Sequence, residues 1–208
     1  MQLDRHRMVR LDPARWPEIL ASQSAARGIP DLSGWIDAGR PLVARRAACG
    51  DGAGLVPLGL PLPPSLGKQR LAFAVVPDAI LSDAPPPSLA DALQRAPASW
   101  QPTIAAILAL APETRCFGSL AWEYLTGLPY LSATSDLDLI WPVADAAGAA
   151  RLASLAQIDA ATPMRLDGEF VTATGLAIPW REWASDAPEL LAKARDGNCL
   201  IARAAVFT

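Results

Sequence analysis

Apolar residues alternate with polar or small ones in three short runs near the start of the chain: RPLVARRAA, LVPLGLPL and KQRLAFAVVP. A period of two puts every second side chain on one face, so each run predicts a strand with one buried side. The intervening CGDGAG predicts a hairpin turn rather than a phosphate cradle, because no Lys-Ser or Lys-Thr follows it and no helix is evident. Pro85, Pro86 and Pro87 then stop the pattern, since consecutive prolines continue neither a helix nor a central strand. Beyond them the apolar spacing changes to three and four in SLADALQRA and PTIAAILALAP, which predicts helices.

A strand ending at Phe117 follows, then a helix over residues 119–125, a loop through Gly127 and Pro129, and the strand SDLDLIW. DAAGAARLASLAQI has helical spacing, and PMRLDGEFVTA and GLAIPW predict two strands joined by a turn. LLAKARDGNCLIARA predicts a closing hairpin on its Asp-Gly turn, although its first half also fits a helix. No internal repeat is visible. The predicted fold class is α/β (α+β): a small β-rich module over residues 1–84 and an α/β domain over residues 85–208.

Composition narrows what these elements can do. Half of the 208 residues are apolar and 19% are charged, which suits a folded core and not a disordered chain. A net charge of −3 argues against a protein that coats nucleic acid. No apolar run reaches the roughly 18 residues of a membrane helix, and MQLDRHRMVR lacks the apolar centre of a secretory signal. A cytoplasmic protein with no membrane partner is expected. Cys49, Cys116 and Cys199 are odd in number and lack C-x-x-C spacing, so neither a disulfide framework nor a zinc site is predicted. With His6 the sole histidine, enzymatic chemistry falls to carboxylates.

The carboxylates that stand out are in FGSLAWEYLTGLPYLSATSDLDLIW, residues 117–141. On a strand, Asp136 and Asp138 share a face while Leu137 and Leu139 point into the core. Two like charges so close favour a cation between them. Mg²⁺ suits the pair, since it takes hard oxygen ligands and substrate phosphates together. Gly118 and Ser119 stand where a strand hands over to a helix, where backbone amides and a hydroxyl can hold phosphate oxygens. A carboxylate pair beside an anion cradle predicts phosphoryl or nucleotidyl transfer.

The order FGS … SDLDLI resembles the signature of the nucleotidyltransferase superfamily, and the longer text GSLAWEYLTGLPYLSATSDLDLI resembles a narrower family within it. That family is the phosphoribosyl-dephospho-CoA transferases of malonate decarboxylase, also called its holo-acyl-carrier-protein synthases. Ordinary small adenylyltransferases follow Gly-Ser with a short arginine-containing helix and a shorter gap to the aspartates. RHRMVRL, GRPLVARR, LGKQRLAF, and RLDGEF followed by PWREW extend the resemblance over nearly the whole chain. It implies a nucleotidyltransferase-like C-terminal domain with a mixed sheet flanked by helices, and an N-terminal module that binds substrate. The implied reaction joins triphosphoribosyl-dephospho-CoA to a serine of the acyl-carrier subunit of malonate decarboxylase, forming a phosphodiester and releasing diphosphate.

Under that resemblance Asp136 and Asp138 hold Mg²⁺ on the triphosphate, and one of them accepts the serine proton. A third carboxylate is expected in RLDGEF, Asp167 in preference to Glu169, and Gly118 and Ser119 contact the leaving phosphates. Cations for the anionic substrate are Arg45, Arg46, Lys68, Arg70 and, more weakly, Lys193. Because Arg45 and Arg46 are adjacent on a strand, only one of them is expected to reach the site. Trp122, Tyr124 and the tryptophans of PWREW fit either a core or a stacking role, the core being the commoner one. Two other functions fit parts of the pattern: adenylation of a different protein or small molecule, and an inert nucleotidyltransferase-like binding module.

Overall fold

A run of prolines ends one sheet and opens the way to another. The computed structural model describes every residue except Asp186 and Asp196. It divides the chain into one unit formed by Met1–Pro86 with Leu125–Tyr130, and a second formed by Pro87–Tyr124 with Leu131–Thr208.

The first unit is built on an antiparallel sheet of β1 (Met8–Leu11), β2 (Leu42–Ala44), β3 (Val56–Pro61), β4 (Arg70–Val75) and β5 (Ile80–Ala84), in the order β4-β3-β2-β1-β5. Strict alternation in β3 buries Val56, Leu58 and Leu60, which face Val75, Phe73 and Leu71 of β4. Trp16, at the head of α1 (Trp16–Ala21), closes this core. Its ring lies 5.4 Å from that of Phe73, and its Nε1 donates to Leu32 O at 2.7 Å. Helix α1 departs from the strands and turns expected of this module. A proline in the first turn pre-sets its backbone there, and burial of Trp16 holds the short helix down.

The second unit carries a mixed sheet in the order β11-β10-β9-β8-β7-β6. Its strands are β6 (Arg115–Phe117), β7 (Leu137–Val143), β8 (Leu166–Thr172), β9 (Ala177–Pro179), β10 (Glu189–Lys193) and β11 (Asn198–Ala202). Only β7 and β8 pair in parallel, across a helical crossover; the other pairs are antiparallel. The helices are α2 (Leu89–Ala92), α3 (Gln101–Leu110), α4 (Gly118–Thr126), α5 (Ala146–Arg151), α6 (Leu155–Asp159) and α7 (Trp180–Ala184). One continuous core joins Ile104 and Ile107 of α3, Leu120 and Ala121 of α4, and Leu137, Leu139, Trp141, Leu166 and Phe170 of the sheet. The α+β class and its mixed sheet flanked by helices are those expected. The closing segment is a hairpin, β10 pairing antiparallel with β11, and Ala194 N donates to Gly197 O at 2.8 Å across its turn. Asp196 of the expected Asp-Gly turn lies outside the described residues.

Candidate active site

Strand β6 runs without a linker into α4, so the chain reverses direction at Gly118. Gly118 adopts φ +64°, a conformation that L side chains rarely take, and a Cβ there would overlap the Asp138 carboxylate. The pairing of Phe117 with Asp138 on neighbouring strands produces this approach. Gly118, the partly buried Ser119 and Asp138 are thus brought to one place by the β6–β7 pairing.

The parallel pairing of β7 and β8 does the rest. Its register sets Asp138 beside Asp167 and Ile140 beside Glu169. Asp138, Asp167 and Glu169 therefore share one face, while Leu137, Leu139 and Leu166 lie fully buried on the other. Asp136 stands one residue before β7, two positions from Asp138, and is half-buried like Asp138 and Asp167. Between Asp167 and Glu169, Gly168 has no room for a Cβ, which would meet the Leu139 carbonyl and the Trp141 ring. Its amide donates to Asp167 Oδ1 at 2.8 Å, which fixes that carboxyl group. Gly168 is a further residue that shapes this face. A glycine inside a strand, flanked by two acids, was the signal available for it.

Glu169 is 2% exposed and bonds to Lys193 Nζ of β10 at 2.9 Å, so two residues selected for different roles stand together. Cys116, under the same face, is an inert thiol. Burial, reinforced by the negative charge of Asp138, pushes it up to about 12. Glu123 turns towards the chain itself and accepts from Leu131 N at 2.9 Å. Trp122 and Trp180 are buried, Tyr124 packs against the core, and Trp183 joins a cluster with Phe170 and Phe207. These aromatic residues belong to the core.

The remaining candidate cations lie in the first unit. Arg45 uses all five guanidinium donors within that unit: two on Asp51, and one each on the carbonyls of Leu58, Arg46 and Phe73. Asp51 also accepts from Ala48 N. The Arg45 hydrogen bonds, with that of Ala48, hold the Asp51 carboxyl below its ordinary range. The loop CGDGAG is thereby a clamped turn between paired strands, and the Arg45 guanidinium is engaged within its own unit. Arg46 is half-buried; Arg70, the first residue of β4 and the partner of Pro61, and Lys68, two residues before it, are exposed.

Among the described residues, no group of three or more His, Cys, Asp and Glu side chains is gathered as a ready metal cage. The half-buried carboxylates on the shared face suit a hard divalent ion of the kind bound by one or two carboxylates plus substrate oxygens. The missing Cβ at Gly118 lets the Asp138 carboxylate lie against the backbone where α4 begins. Among the described residues no helix is long and apolar enough to cross a membrane.

Residues 4–86 match the family described as phosphoribosyl-dephospho-CoA transferase MdcG N-terminal domain, and residues 88–204 the corresponding MdcG C-terminal domain. A phosphoribosyl-dephospho-CoA transferase of Bradyrhizobium diazoefficiens is 40% identical over 204 residues, covering 96% of this chain and 90% of the relative. A protein of the same name from Xanthomonas campestris pv. campestris is 39% identical, with 86% of each chain covered. Another, from Xanthomonas euvesicatoria pv. vesicatoria, is 38% identical over 98% of this chain and 96% of its own. No solved structure matches. Two family matches in sequence along the chain, and relatives aligned over nearly all of it, lead to one conclusion: the chain belongs to the phosphoribosyl-dephospho-CoA transferase family.

Proposed function

We propose that this protein transfers the phosphoribosyl-dephospho-CoA prosthetic group from its triphosphate precursor to a serine of the malonate decarboxylase acyl-carrier subunit. The observation that carries the proposal is the register of Asp138 with Asp167, closed at one end by a glycine that leaves room for nothing larger than hydrogen. Relatives named phosphoribosyl-dephospho-CoA transferase support the identity of the group transferred.

In this reaction the serine Oγ bonds to the α-phosphorus, the bond from that phosphorus to the bridging oxygen breaks, and diphosphate leaves. The chain's residues divide the work. Asp136 and Asp138, with Asp167, would hold Mg²⁺, which when bound would neutralise the triphosphate charge. Asp136 or Asp138 takes the serine proton as the new bond forms. The backbone at Gly118 and the hydroxyl of Ser119 receive the departing phosphate oxygens, favoured by the amide end of the nine-residue helix α4. Leu137, Leu139 and Leu166 hold both acid-bearing strands rigid from beneath. Lys68 and Arg70, exposed on the first unit, are that unit's candidate cations for an anionic ligand.

The test is to incubate the protein with Mg²⁺, the triphosphate precursor and apo carrier subunit, and then weigh the carrier. A gain equal to the precursor minus diphosphate is expected. An unchanged carrier, together with adenylation of some other acceptor from ATP, would overturn the proposal.

A further inference from the structure

Glu169 and Lys193 are set apart from the other charged groups of the sheet by how they are joined. The Glu169 side chain is 3% exposed, and a carboxylate that deep persists as an anion only beside a cation. Lys193 reaches it from two strands away. Pairing of β8 with β9 and of β9 with β10 places Lys193 in the row of Val171 and Ala177, on the carboxylate face. Its bond to Glu169 therefore draws the ammonium back along the sheet, towards the row of Asp138 and Asp167. The Lys193 side chain remains 34% exposed, and an ammonium has three donors. One goes to Glu169 and the outer side stays open to a ligand.

We propose that Lys193 binds a phosphate oxygen of the substrate's triphosphate, and that Glu169 is its positioning residue rather than a third metal ligand. The inference rests on the transfer function proposed above and assigns the two residues within it. A divalent ion at Glu169 would have to displace the ammonium already bonded there. Asp167, whose carboxyl is fixed by the neighbouring amide of Gly168, is half-buried and in register with Asp138, which suits it better to that role. A compact ammonium held by a buried carboxylate is a fixed point charge, and fixed point charges suit phosphate.

Titration of the full-length protein with inorganic triphosphate and, separately, with dephospho-CoA, both in EDTA, reads the Lys193 contact without metal. Lys193→Met is expected to weaken triphosphate binding about tenfold or more, the loss of one hydrogen bond between charged groups, and to leave dephospho-CoA binding unchanged. Lys193→Arg should recover most of the loss. Glu169→Gln should weaken triphosphate binding by a smaller factor, and Glu169→Gln with Lys193→Met should be no weaker than Lys193→Met alone. The double variant also keeps the question answerable if Lys193→Met, with its carboxylate left buried and unpaired, does not fold. In the transfer assay, Glu169→Gln should leave the half-saturating Mg²⁺ concentration unchanged while Asp167→Asn raises it. Unchanged triphosphate binding by Lys193→Met, factors that multiply in the double variant, or a raised Mg²⁺ requirement in Glu169→Gln would each overturn the inference alone. A wild-type protein that binds triphosphate neither in EDTA nor with Mg²⁺ would overturn the transfer function with it.

Discussion

The two units handle charge in opposite ways. In the first, Arg45 and Asp51 are six residues apart and satisfy one another through paired hydrogen bonds, and Arg7 bonds to Asp83 where β1 meets β5. Both pairs are neutralised where they meet, and all five Arg45 donors are in use. In the second unit, parallel pairing of β7 and β8 sets two carboxylates side by side, an arrangement that like-charge repulsion disfavours. A fold stabilises such a pair only through the packing beneath it, here the buried leucines of both strands. The contrast separates scaffolding charges from working ones: local closure marks the first kind, enforced proximity of like charges the second.

Substitutions can break this contrast at either end. The largest effect is expected from Asp138→Asn, which should lower transfer by about a hundredfold or more while leaving the melting temperature unchanged or raised, because one repulsive charge is removed. A variant that loses activity only by unfolding would make Asp138 scaffolding instead. Gly118→Ala should be next. A methyl group that collides with Asp138, at a backbone angle alanine resists, is expected to lower both the melting temperature and the transfer rate. An active, equally stable variant would remove the close approach from the site.

Arg45→Met should show the reverse signature. Loss of roughly 2–4 kcal/mol in denaturant unfolding is expected, because Asp51 and three carbonyls lose their donor, with the KM for the precursor unchanged below the melt. A raised KM with full stability would return Arg45 to substrate binding. Alkaline pH probes both units. The Cys116 thiol is pushed from near 9 to about 12, so above pH 9 the unfolded chain releases a proton that the folded chain keeps. Stability is then full below about pH 9 and should fall by about 1.4 kcal/mol per pH unit on the way to 12. Cys116→Ala should flatten that slope in the second unit. Burial pushes the Tyr130 phenol up as well, which adds a later alkaline loss in the first. The smallest effect is expected from Tyr130→Phe, about 1 kcal/mol for its hydrogen bond to Pro61 O, read as a shift of the denaturant midpoint.

Much of this was legible in residue order where the information is local. Alternation foretold β3, β4 and β7, and the abrupt Gly-Ser after an apolar strand foretold the start of α4. Asp138 and Asp167 could be named, but their register could not, because it depends on how β7 and β8 slide against each other over a helical crossover. The bond from Lys193 to Glu169 was invisible for a similar reason: it spans 24 positions and two strand pairings. The bond from Arg45 to Asp51 was also invisible, because an arginine after a strand reads as a cation for substrate until Asp51 folds back from the turn. β5 escaped notice because its five residues sit against a proline run and form by pairing with the distant β1 rather than by their own periodicity.

One feature of the chain path bears on how the protein can be taken apart. Residues 125–130, the end of α4 and the loop through Gly127 and Pro129, leave the second unit and complete the first, with the Tyr130 hydroxyl on Pro61 O, while Glu123 holds Leu131 N where the chain returns. The family boundaries at residues 86 and 88 follow the order of the chain, but the folded units do not. A gene split at the proline run would give a first fragment without its last piece and a second fragment carrying that piece with nothing of its own unit to bury Tyr130. Neither half is then an autonomous building block. Recombination between relatives at that seam would exchange whole units only if the distant six-residue segment travelled with the first.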